Sequence, residues 1–117
     1  MQPIFVEDSK IPVILTALSP LDNIYAITLF PFVFAKGKID EETRRHETIH
    51  FQQCLETLVI GFYIIYLLDY IRGKIEYGDG GKAYLAIRAE QEAYENDKDE
   101  EYLSNRKRWE WLRKYSV

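Results

Sequence analysis

From Lys38 to Ile60 the chain contains neither proline nor glycine, and this breaker-free run constrains the fold more than any other feature. Gly37-Lys38-Ile39 forms a turn ahead of it, and Asp40 can cap a helix by accepting an orphan backbone N–H. Glu41 and Glu42 follow in the first turn, where the helix dipole stabilises negative charge. The pattern predicts one long helix from about Glu41 to Tyr70, with Gly61 marking a close contact or a bend.

Shorter elements surround that helix. Ile4 to Val6 reads as a strand, and Lys10 to Leu18 as a short apolar helix with Pro12 in its first turn and Ser19-Pro20 at its end. Asn23 to Phe30 and Phe32 to Ala35 are rich in β-formers. A hairpin of the two is expected, and Pro31 between them, which cannot donate a ladder hydrogen bond, must lie at a turn or on an edge. Arg72 to Gly81 is glycine-rich and reads as a loop. Lys82 to Tyr115 reads as two helices, with a break near Asn96-Asp97 or Ser104-Asn105. The expectation is a single small α+β domain over residues 1–117, mainly helical, with a β-hairpin packed on the long helix.

Composition bounds what such a domain does. With 117 residues, 47% of them hydrophobic, one core of useful size can form. The net charge of −4 leaves no basic excess to neutralise phosphates, which argues against a nucleic-acid partner. The single cysteine, Cys54, has no disulfide partner within the chain and reads as a small core residue. Met1 to Asp8 lacks the basic start and apolar run of a signal peptide, so a cytoplasmic location is expected, with membrane or virion association as the alternatives. Leu58 to Leu68 is the most apolar run, shorter than the roughly 20 residues that span a bilayer. It reads as a buried core helix or as a peripheral membrane contact, and Tyr63, Tyr66 and Tyr70 suit either. The basic run Arg106-Lys107-Arg108, followed by Trp109, Trp111 and Leu112, reads as a solvated helix with an aromatic face, or as a site for a partner or anionic lipid.

Chemistry concentrates in His46-Glu47-Thr48-Ile49-His50, which reads H-E-x-x-H. On a helix the two imidazoles project from one face a turn apart and can bind one zinc ion, while Glu47 can act as general base toward a metal-activated water. Catalytic zinc commonly takes three protein ligands. No other histidine exists, so the third must be a carboxylate, a cysteine or a tyrosine. Arg88 to Tyr94, about forty residues on, is the best segment: Glu90 and Tyr94 share a helix face, and Glu92 is the rival ligand. Arg44 and Arg45 read as solvated or paired with Glu41 and Glu42.

These motifs resemble the gluzincin metallopeptidases, whose third ligand is a glutamate on a later helix. One branch, which includes membrane-associated CAAX-processing proteases, carries E-x-x-A-D there. Glu90 and Ala93 match that pattern, whereas Tyr94 stands where the branch has aspartate, and Ile49 where it has glycine. The ends of the chain also look like small H-E-x-x-H proteins of marine phages and bacteria. The resemblance implies zinc held by His46, His50 and Glu90, with Glu47 as base; Tyr94, which departs from the family, reads as a donor to the oxyanion or as a packed tyrosine. It also implies a peptide or protein substrate paired along a strand edge, for which Phe32 to Lys36 could serve, the other reading of that segment being an ordinary edge strand. The alternative class is a non-catalytic binding or accessory domain that keeps the helix geometry; the small size favours it, whereas Glu47 between the histidines favours the peptidase, since a purely structural zinc site has no use for it.

Overall fold

The computed structural model describes residues 2–18 and 25–117. In chain order these form β1 (Ile4–Val6), α1 (Ile11–Leu18), β2 (Ala26–Leu29), β3 (Phe32–Ala35), α2 (Glu41–Glu56), α3 (Ile60–Tyr77), α4 (Gly80–Ala86), α5 (Arg88–Asn96), α6 (Tyr102–Asn105) and α7 (Glu110–Arg113). The architecture is α+β and mainly helical, as the sequence leads one to expect. Ser19-Pro20 and the Asn23-Ile24 start of the expected strand lie outside the described residues.

The β2–β3 hairpin turns at Phe30-Pro31, with Leu29 opposite Phe32 and Thr28 opposite Val33. β1 adds in parallel on the far side of β3, giving the order β1-β3-β2. This corrects one expectation. Phe32–Ala35 is paired on both sides and offers no edge, so the strand left open beside the helices is β2.

Asp40 caps α2 by accepting from the Thr43 N–H at 2.7 Å. The helix ends at Glu56 rather than running to Tyr70, and α3 departs at 111°. No proline or glycine causes the break. The Thr57 and Val59 N–H groups both return to the Cys54 carbonyl, and Leu58 and Val59 take positive φ of 56° and 66°. Such conformations cost roughly 1–3 kcal/mol each. The turn folds Phe62 back against His50 and Trp111, with ring centroids 5.9 and 5.7 Å away. Gly61 lies just past the turn, where a Cβ would stand 3.0 Å from the Thr57 Cβ.

α3 continues to Tyr77, so the expected glycine-rich loop shrinks to Gly78 and Asp79. Gly78 is the left-handed residue ending α3 (φ 69°), and Asp79 caps α4. Gly73 sits inside α3 because a Cβ there would meet the Ala83 Cα at 3.0 Å, so α3 and α4 pack backbone to backbone. The two expected C-terminal helices are four short ones. The breaks fall at Ile87 (φ −59°, ψ 126°), near Asp97, and after Asn105.

Cys54, Phe62, Ile87, Ala89 and Trp111 form the central core. Burial raises the Cys54 thiol to about 12, consistent with a core residue. Arg106 ties the tail to this core, with Nη1 2.5 Å from Glu56 Oε2 and Nε 2.6 Å from Glu92 Oε2. Arg44 and Arg45 read in the sequence as solvated or paired with Glu41 and Glu42; in the structure Arg44 lies over the Phe5 ring, and Arg45 donates to the Glu41 backbone carbonyl.

Candidate metal centre

The second and third turns of α2 carry the motif, and all five of its residues are buried. α5 crosses beside them with Glu90 in its first turn. The His46 and His50 Nε2 atoms each lie 3.1 Å from the same oxygen, Glu90 Oε1. The three ligand atoms fall within 4.8 Å of one another. In a tetrahedral site with bonds of about 2.0–2.1 Å, ligand atoms stand about 3.3 Å apart. The spacing and donor types therefore fit a divalent ion with little rearrangement.

The electrostatics of the metal-free cluster follow from burial. Burial alone would lower the His50 pKa, but the Glu90 carboxylate outweighs it, with Glu47 and Gln53 adding, and the imidazole rises to about 9. His46 is raised too, as the hydrogen bond and charge of Glu90 overcome burial and repulsion from His50. Burial pushes Glu90 up, yet the two imidazoles hold it well below the usual carboxylate range.

Further side chains fix each of the three groups. His46 Nδ1 lies 3.0 Å from Asp97 Oδ2. His50 Nδ1 lies 2.8 Å from Gln53 Oε1, and the Gln53 amide donates to the Ala89 carbonyl and to Glu92 Oε1. Tyr66 donates to the second Glu90 oxygen at 2.6 Å. Burial and the neighbouring Glu90 carboxylate raise the Tyr66 hydroxyl, so it stays protonated and donates. With each Nδ1–H given to an acceptor, both Nε2 atoms are directed at the common point.

Glu47 stands beside this cluster without joining it, its Oε2 accepting from the Thr28 hydroxyl at 2.8 Å. Tyr94, half-exposed, lays its ring against His46 with centroids 4.6 Å apart, and its hydroxyl meets that of Tyr84 at 3.0 Å. His46, Glu47, His50, Glu90 and Tyr94 all line one cleft of about 620 Å³. β2 forms its other wall, opposite the aromatic residues of α3. Antiparallel alternation points the Ala26 and Thr28 backbone groups away from β3. Tyr63 covers one end of that edge, donating to the Thr28 carbonyl and accepting from the Phe30 N–H.

The sequence-derived residues therefore assemble, and the rival ligand separates from them. Glu92 points to the other side of α5, where it meets Arg106, Tyr102 and Gln53. Its part is indirect, through Gln53. Five residues at the site are not announced by the motif: Asp97, Gln53, Thr28, Tyr66 and Tyr84. Asp97 lies seven residues after Glu90, on the same helical face, and that spacing is a signal the acidic run concealed. Gln53 is i+3 from His50 and was equally accessible. Thr28 and Tyr66 come from other elements, and no local spacing announces them. No protein-family model, curated protein or solved structure matches the chain.

Proposed function

We propose that this chain is a minimal zinc-dependent peptidase of the gluzincin type. One observation carries the reading: two imidazole nitrogens one helical turn apart converge on a single Glu90 oxygen, with the uncoordinated carboxylate of Glu47 beside them in an open cleft. His46, His50 and Glu90 are the ligand set, and a zinc ion held there supplies Lewis-acid activation of water and of a carbonyl. Glu47 is placed to accept a proton from the attacking water and return it to the leaving amine. The Thr28 hydroxyl holds one Glu47 oxygen and leaves the other for that transfer. Tyr94 carries a hydroxyl at the cleft wall that can donate to a developing oxyanion, and Tyr84 orients it. An extended peptide is the substrate class that suits the outer edge of β2 at Ala26, the part that Tyr63 leaves uncovered, beside the cleft.

Cleavage of a mixed peptide pool, read by mass spectrometry on zinc-loaded protein, tests this. Glu47→Gln should lower cleavage by about 10²–10⁴-fold with zinc still bound at one equivalent. Zinc bound without cleavage by the parent would favour a non-catalytic binding domain.

A further inference from the structure

The apolar run Leu58 to Leu68 has two faces: Phe62 joins the core with Tyr63, Ile65 and Tyr66 packed against it, and the other face is open. Within Leu58 to Leu68 only Phe62 is buried. Ile60, Ile64, Leu67, Leu68, Ile71 and Ile75 are all exposed and recur at i, i+4, i+7, i+8, i+11 and i+15 of α3, which is a single stripe on one helix face. The most exposed are Ile60 at 71% and Ile75 at 81%, and Leu58 at the elbow reaches 87%. At 1.5 Å per residue the stripe is roughly 22 Å long. A contiguous exposed apolar face of this kind marks an interaction surface.

Charge around the stripe selects the occupant. At 3.6 residues per turn, Lys74 borders it on one side and Arg72 on the other, and both are exposed. The acids of α3 lie across the helix: Glu76 near the opposite face, and Asp69 buried against Arg88. At the elbow, exposed Trp109 donates its indole N–H to the Glu56 carbonyl at 3.1 Å, which places it close to Leu58, and exposed Lys107 and Arg108 precede it. Apolar stripe, cationic borders and an aromatic ring at one end are the pattern of a helix lying in a lipid interface. A second copy of the chain fits less well. An antiparallel pair of α3 stripes would set Arg72 and Lys74 against the partner's first turns, which carry no acid. The net charge of −4 does not oppose the lipid reading, because a helix is about 10–12 Å across and the Debye length is about 8 Å.

We propose that the exposed face of α3, with the Leu58–Trp109 elbow, docks on an anionic bilayer surface, α3 lying parallel to it. The reading is independent of the metal centre, although the same helix sends Tyr66 to Glu90 from another face. Cosedimentation of the full chain with vesicles tests it, using phosphatidylcholine alone and phosphatidylcholine mixed with phosphatidylserine. Binding to the mixed vesicles is expected, weakened at least about tenfold in I64D/L68D, with an unchanged far-ultraviolet spectrum. R72Q/K74Q should keep the fold and lose about fivefold per cation, only on the anionic vesicles. Equal binding to both vesicle types, binding undiminished in I64D/L68D, or no binding by the parent would overturn the proposal. A parent dimer in sedimentation equilibrium that I64D/L68D dissociates would overturn it in favour of a second copy.

Discussion

Asp97→Ala removes a side chain that touches no proposed substrate and no metal, yet it should weaken metal binding sharply. In the structure its carboxylate lies 3.0 Å from His46 Nδ1, with the two side chains only 6% and 10% exposed. Water therefore screens the contact little. A hydrogen bond to a charged group contributes about 1.5–3 kcal/mol, and loss of a partner that orients a metal-bound histidine costs about 10–100-fold in affinity. The two agree, since each factor of ten is about 1.4 kcal/mol. The effect acts through His46: without an acceptor, Nδ1–H no longer fixes the ring, and the tautomer protonated on Nε2, which cannot ligate there, becomes accessible. Asp97→Asn keeps a carbonyl acceptor and should lose less than about tenfold. Asp99→Ala, on the exposed surface two residues on, should bind as the parent does. Zinc affinity is measured by competition with a chelator of known strength, alongside circular dichroism of the metal-free proteins. Asp97→Ala binding within about twofold of the parent, while His46→Ala abolishes binding, would refute the orienting role assigned here.

Four further outcomes follow from the structure. Metal binding should release protons near neutral pH, because the His50 imidazole at about 9 must lose its proton to coordinate, and affinity should rise with pH between 6.5 and 9; calorimetry in buffers of different ionisation enthalpy checks this, and buffer-independent heats would contradict it. In chelator the sign reverses: the raised His50 pKa stabilises the metal-free fold fully below 6.5 and is lost as pH rises through about 9, a trend that thermal melts across that window read directly. Arg106→Met leaves the Glu56 and Glu92 carboxylates buried without their cation and should cost about 3–5 kcal/mol, lowering Tm by roughly 10–20 °C. Gly73→Ala forces a methyl group against the Ala83 backbone, 3.0 Å from its Cα, and should destabilise by about 1–3 kcal/mol in urea unfolding.

The sequence by itself determined what depends on short spacing. Asp40 as cap, the motif face of α2 and the turn at Phe30-Pro31 rest on residues close together in the chain, and each appears in the structure. The sequence left Glu90 and Glu92 both open as third ligand, and the packing of α5 on α2 decided between them. The tertiary structure decided the rest. The elbow at Leu58-Val59 has no breaker to announce it, because its strain is offset by burying Phe62 against residues from α2 and α7. Which strand is the edge depended on β1, distant in sequence, pairing with β3 rather than with β2. Asp97 and Tyr66 reach their partners across 51 and 24 residues. Contacts at such separations are set by how whole elements pack, and one helix's spacing carries no record of where the next helix lands.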